Sequence, residues 1–180
     1  LPIPASAESQ AACLDFIVER LRNWLLESGE RFDVVEAVVS VQGNNPARAT
    51  QAARQLAGWI ARPDWNRILP AYARCVRILR SAGGAAAAAY QSLPGTEPAE
   101  VELYAALQMA EETLRQLPGS RTPDDFLNAF LPVIPAVDRF FEAVLVMVED
   151  DAVRLNRLAL MGRIAALAEG VADLSRLEGF

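Results

Sequence analysis

Apolar side chains recur along this chain at the period of an α-helix and almost nowhere at the period of a strand, which bounds the fold before any motif is read. Leu14, Ile17, Val18, Leu21, Trp24 and Leu25 follow i, i+3, i+4, i+7 spacing and so share one side of a helix. Gly29 closes that helix as a C′ residue. Val34, Val35, Val38 and Val39 are strand-like in composition, but their spacing places them on one side of a helix opening at Asp33. Pro46 suits the first turn of the next helix, whose stripe of Ala52, Leu56, Trp59 and Ile60 stops near Pro63. The segment from Asp64 to Ser81 contains Pro70, so that helix is kinked there or begins there.

Gly83-Gly84, the alanines 85–89 and Leu93-Pro94-Gly95 form a low-complexity connector. It divides the chain into 1–82 and 96–180, joined by a linker over 83–95. Beyond it, Glu97-Pro98 opens a helix carrying Val101, Tyr104, Leu107 and Leu114, ended by Pro118-Gly119. Thr122 caps the next, with Asp124 and Asp125 in its first turn. Pro132 and Pro135 split it, and Phe140, Phe141, Val144 and Leu145 carry the second piece. The last helix starts near Asp150, and its seam of Leu160, Ile164, Leu167, Val171 and Leu174 must face other helices. The expected fold is all-α, a bundle of seven or eight helices.

What this scaffold can do is narrowed by two missing residue types. The 180 residues include 17 basic side chains, every one Arg, against 23 acidic ones, for a net charge of −6 and no His. Without imidazole there is no Ser-His-Asp or Cys-His catalysis and no His-ligated zinc. Without Lys there is no Schiff base and no phosphate-loop lysine. A chain of this length buries enough apolar surface to fold without disulfides or metal. Cys13 and Cys75 belong to no CxxC pair and read as two buried thiols. No stretch is long and apolar enough for a membrane span, and no signal peptide is evident. The opening Leu1-Pro2-Ile3-Pro4 suggests a piece of a longer chain.

Three acidic groups could pose as catalytic carboxylates: Glu111-Glu112, Asp124-Asp125 and Glu149-Asp150-Asp151. The last two precede apolar helices, where carboxylates cap amides and offset the helix dipole. The arginines are more informative. At ~100° per residue, Arg74 falls about 20° from Arg67 and Arg77 about 60° further, so the three share a side of one helix. Arg154 and Arg157 lie one turn apart on the final helix with Asn156 beside them. A guanidinium fork suits phosphate, and Trp59, Trp65 and Tyr72 could offer stacking faces to unpaired bases. Two roles are open to Arg154 and Arg157: contact with RNA, or bracing of the bundle through Glu149, Asp150 or Asp173. The net negative charge argues against nonspecific polyanion binding.

The C-terminal runs 140–144, 146–150, 151–160 and 171–177 closely resemble the end of the bacterial glycyl-tRNA synthetase beta subunit. Asp151-Ala152-Val153-Arg154 looks like the signature that names the DALR anticodon-binding domain, with Val in place of Leu. Segments 14–22, 32–38 and 71–79 are similar to that subunit as well. The family usually has Lys where Ala73 stands and Asn where Arg77 stands, so one cation is lost and one gained on that helix.

The resemblance implies a noncatalytic, DALR-like helical domain that binds the anticodon arm of the tRNA for glycine. RNA-binding residues would be Arg74, Arg77, Arg154, Asn156 and Arg157, with Trp65 buttressing or stacking. The family enzyme is a cytoplasmic alpha-beta heterotetramer. It joins glycine to tRNA using ATP and magnesium, with the aminoacylation site on the alpha subunit. No catalytic residue, cofactor or metal is expected in this domain itself. The alternatives are a helical assembly module of a synthetase, the DALR domain of an arginyl-type synthetase, whose pattern 157–160 shares, and an unrelated helical enzyme with a carboxylate site.

Overall fold

The computed structural model describes residues 6–83 and 92–180. Among these are eight α-helices: α1 (Ala7–Glu27), α2 (Phe32–Gln42), α3 (Pro46–Ile60), α4 (Trp65–Ser81), α5 (Pro98–Gln116), α6 (Pro123–Phe130), α7 (Ile134–Ala143) and α8 (Asp151–Ala166). Short 3₁₀ turns span Leu131–Val133 and Leu174–Arg176. No strand occurs among the described residues, so the all-α expectation holds. Residues 84–91, most of the expected linker, lie outside the described residues.

Local chemistry sets the helix ends. Ser6 Oγ accepts from Ser9 N at 3.1 Å, Asn45 Oδ1 from Arg48 N at 3.2 Å and Asp150 Oδ1 from Val153 N at 3.0 Å, each satisfying an amide the helix leaves open. Thr122 and Asp125 form a reciprocal capping box. The acidic groups at 124–125 and 150–151 are therefore helix starts, as their position suggests. Gly29 takes φ +91° after α1, the left-handed geometry that glycine adopts at a C′ position.

The valine-rich segment is the helix its spacing implies, because α2 sits at the centre of its half. Val34, Val35, Ala37 and Val38 are fully buried between α1, α3 and the C-terminal 3₁₀ turn. Asp173 N donates to Ala37 O at 2.8 Å and Gln42 Nε2 donates to Val171 O. These bonds stitch the end of the chain to α2. The packing of α4 on α8, and of α5 on α6, α7 and α8, joins the chain before and after the connector in one hydrophobic core.

Several periodic positions differ from their expected places. On α1 only Leu21 and Leu25 are buried, while Leu14, Ile17 and Trp24 are 40–47% exposed; α1 lies at the margin and just one edge of its stripe meets α2 and α3. On α5 Leu103 is buried in place of Val101, which is exposed. Helix α4 runs through Pro70. The proline is exposed, so the Asn66 carbonyl it leaves without a helix partner can meet water. The final seam is buried throughout, but the helix stops at Ala166, and Val171 and Leu174 come from the turns after Gly170 at φ +73°. Cys75 is buried and Cys13 is exposed, because Cys13 lies on the outer part of α1. Burial pushes the Cys75 thiol up to about 12.

Candidate nucleic-acid interface

Helix α4 turns its apolar side inward and its arginines outward. Ile68, Leu69, Tyr72, Cys75 and Val76 are buried, while Arg67, Arg74, Arg77 and Arg80 are exposed. The i, i+3 steps from Arg74 through Arg77 to Arg80 advance the row around the helix by about 60° each, along the boundary with α7 and the chain's last turn. Arg80 extends the predicted row; its signal was the continued spacing of three.

Two members of the row have aromatic supports and no carboxylate partner among the described residues. The Arg74 guanidinium carbon lies 4.0 Å from the centroid of the Phe141 ring, and that of Arg77 lies 5.5 Å from the centroid of Phe180. Arg80 sits 5.7 Å from the same ring, donates to Ser175 Oγ at 3.0 Å and reaches Asp173 at 3.9 Å. A ring quadrupole orients a cation at a cost of few hydrogen bonds, at about 0.5–1 kcal/mol for an exposed pair. The N–H forks of Arg74 and Arg77 therefore remain available. Arg67 differs, since its Nη2 binds Asp138 at 2.9 Å. The supporting rings Phe141 and Phe180 were missed from sequence, because each meets its arginine only through tertiary packing.

The second predicted cluster is put to another use. Arg157 is buried and ion-paired to Glu100; its Nη1 also donates to Leu145 O at 2.8 Å. Glu100 further accepts from Thr96 N and Glu97 N. Asn156 is buried as well: its Oδ1 accepts from Leu93 N at 2.7 Å and its Nδ2 donates to Leu93 O at 3.2 Å. Arg154 donates to Val148 O at 2.7 Å and Glu149 O at 3.3 Å, and pairs with Asp151. Arg157 and Asn156, expected to face RNA, are instead buried. Their polar atoms clamp the segments around Leu93 and Leu145 onto α8, and an arginine with a buried carboxylate and a carbonyl has little left to offer a phosphate. Arg154, partly exposed, braces the turn before α8.

The aromatic expectations divide in the same way. Trp59 is buried and donates to Asp124 Oδ1 at 2.8 Å. Tyr72 is buried against Phe126, Phe130 and Phe180 with its hydroxyl on Ala165 O at 3.2 Å, and burial raises its hydroxyl pKa far above the ordinary value. Both are core residues, and neither presents a face to a base. Trp65 is partly buried against the core. Glu111 is tied to Arg163 by two hydrogen bonds and Glu112 to Arg115, which leaves no free carboxylate pair there for acid-base chemistry. Among the described residues no three thiols or carboxylates converge to hold a metal ion.

Comparisons with known proteins point to the same stretch of chain. A family model described as the DALR anticodon binding domain matches residues 68–174, the span from α4 to the last turn. The glycine–tRNA ligase beta subunit of Anaeromyxobacter sp. (strain K) is 38% identical over 168 residues, covering 92% of this chain and 23% of the relative. That of Ectopseudomonas mendocina (strain ymp) is 34% identical over 167 residues, covering 93% and 24%. The chloroplastic/mitochondrial glycine–tRNA ligase 2 of Arabidopsis thaliana is 30% identical over 179 residues, covering 99% and 16%. The chain thus spans about a quarter or less of the length of these curated relatives.

Proposed function

From the premise that the chain belongs to the DALR anticodon binding domain family, more than half of it being matched, we propose that it is the noncatalytic, anticodon-arm-binding part of a glycine–tRNA ligase beta subunit. The observation that carries this reading is the exposed α4 row, in which Arg74 and Arg77 rest on aromatic rings and, among the described residues, no carboxylate takes their hydrogen bonds. Such forks donate two parallel bonds to a phosphate. In this reading the ATP- and magnesium-dependent joining of glycine to tRNA takes place elsewhere in a cytoplasmic enzyme, on an alpha subunit. In the same reading no metal and no catalytic step is assigned to this domain. With a net charge of −6, long-range steering of the polyanion falls to other surfaces of the ligase, and the α4 row acts at contact.

The test is equilibrium binding of the tRNA for glycine as a function of salt, with Arg74→Ala and Arg77→Ala compared with the unsubstituted protein. Each phosphate interaction removed lowers the slope of log K against log salt by about 0.7–0.9. Unchanged affinity and slope in both variants would remove α4 from the RNA face.

A second reading is favoured by one observation. Leu14, Ile17 and Trp24 expose an apolar face of α1, beside Pro46 and Ala47, suited to docking against the remaining beta-subunit domains. Trp24→Glu should then weaken assembly of the ligase, read by sedimentation, and leave the α4 salt slope unchanged.

A further inference from the structure

The exposed side of α4 changes character along its length. Asn66, Pro70, Arg74 and Arg77 are all exposed and, at ~100° per residue, fall within an arc of about 80°. Toward the C-terminal end, Arg74 and Arg77 have no carboxylate partner among the described residues. Toward the N-terminal end the charge is neutralised: Arg67 is paired with Asp138 at 2.9 Å, and Arg62 with Asp64 at 2.8 Å. Neither of those forks is free for a phosphate. That end offers an acceptor instead. Pro70 stands inside the helix and has no N–H, so the Asn66 carbonyl lacks the donor that a helix ordinarily supplies four residues on. No side chain among the described residues donates to it.

We infer that the Asn66 carbonyl accepts a hydrogen bond from a ribose 2′-hydroxyl of the bound RNA, and that Pro70 is the residue that frees it to do so. The inference rests on the reading of α4 as the RNA face and adds to it a group that tells RNA from DNA. A 2′-hydroxyl is neutral, so the Asp138 carboxylate that would repel a phosphate does not repel it. It is a donor as well as an acceptor, and it can therefore donate to a carbonyl, whereas phosphate oxygens only accept. Sugar and phosphate alternate along a nucleic-acid strand, and the α4 surface alternates with them. Pro70 and Arg74 are about 6 Å apart along the axis. Helical side chains lean toward the N-terminus, so the Arg74 fork and the Asn66 carbonyl belong to one stretch of surface. Pro70 deprives α4 of a backbone hydrogen bond and leaves an exposed acceptor inside a row of donors.

The test uses the tRNA for glycine carrying a single 2′-deoxyribose at each position of the anticodon arm in turn. Binding and its salt dependence are measured for the unsubstituted protein, Pro70→Ala, Arg74→Ala and Arg77→Ala. The expected result is one position whose deoxy form binds the unsubstituted protein about 2–13-fold more weakly, the range for one hydrogen bond. Pro70→Ala returns an N–H to the helix ladder. It should melt at a higher temperature, bind the all-ribose tRNA at the level of that deoxy form, and no longer discriminate between the two. Its salt slope should equal that of the unsubstituted protein, because the lost bond is neutral. A displaced arginine would instead lower the slope by about 0.7–0.9 per phosphate. The scan of the unsubstituted protein does not depend on the stability of any variant. If no deoxy position weakens binding, or if Pro70→Ala keeps the full penalty or lowers the salt slope, while Arg74→Ala still weakens binding, the Asn66 inference is overturned and the α4 reading stands. If neither Arg74→Ala nor Arg77→Ala changes binding, the α4 reading fails and the Asn66 inference falls with it.

Discussion

On α4, Arg74 lies exposed over Phe141 with its hydrogen-bonding fork turned to solvent. On α8, Arg157 is buried, paired with Glu100 and bonded to the Leu145 carbonyl. Both occur in stretches where arginines repeat at three-residue steps, and sequence spacing treats them alike. Their surroundings do not. An arginine at the edge of a helix packed on rings keeps its donors for a ligand, while one facing the interior must have its charge neutralised and its donors satisfied there. A surface cation can serve recognition; a buried one serves position, here fixing where the chain around Glu100 and Leu145 returns to α8.

The largest effect that could break this contrast concerns the buried pair. Arg157→Ala leaves the Glu100 carboxylate in the interior with its main partner gone, and a loss of about 3–5 kcal/mol is expected, read by denaturant unfolding. Arg74→Ala should change stability by less than about 1 kcal/mol. Equal stabilities for the two variants would dissolve the distinction.

Gly95→Ala sharpens the same point from the backbone. Gly95 has φ +78°, and a Cβ there would collide with the Glu100 carboxylate. Strain at φ > 0 together with displacement of the clamp should lower stability by about 2 kcal/mol, with tRNA affinity at low temperature retained if the clamp acts only through position. Tyr72→Phe removes the bond to Ala165 O that ties the inner side of α4 to α8. A loss of about 1 kcal/mol is expected in unfolding measurements.

The smallest effect is one of pH. Burial raises the Asp173 carboxyl pKa, but bonds from the Ser175 hydroxyl and amide and from Arg176 outweigh it and hold the pKa below the ordinary 3.8. A depressed carboxyl contributes stability above the unfolded value and loses it as pH falls through the folded one. Acid unfolding below about pH 4 should therefore be shallower in Asp173→Asn. An unchanged acid limb would show that Asp173 holds the last turn through geometry alone.

Much of the scaffold was legible in the residues. Ser6, Asn45, Thr122 and Asp150 cap their helices, and the four-valine stripe of α2 is buried as its period requires. The α4 row was legible too, because its geometry is internal to one helix. What was not legible is burial beyond the periodic stripe. Tyr72 lies on a helix with an exposed face, and its inward place shows only where its hydroxyl meets Ala165 O on α8. In the other direction, Leu14 and Ile17 have the spacing of core residues yet lie at a margin that no other described element covers.

The amino-acid order by itself determined the helices, most of their starts and which residues share a side, because hydrogen bonds, capping and φ restrictions act over about one turn of chain. Only the tertiary structure decided which arginines are free. Glu100 stands 57 positions from Arg157, and Phe180 meets Arg77 only when the last turn folds back onto α4. Charge and aromatic contacts act through space, and their partners are chosen by how the helices pack.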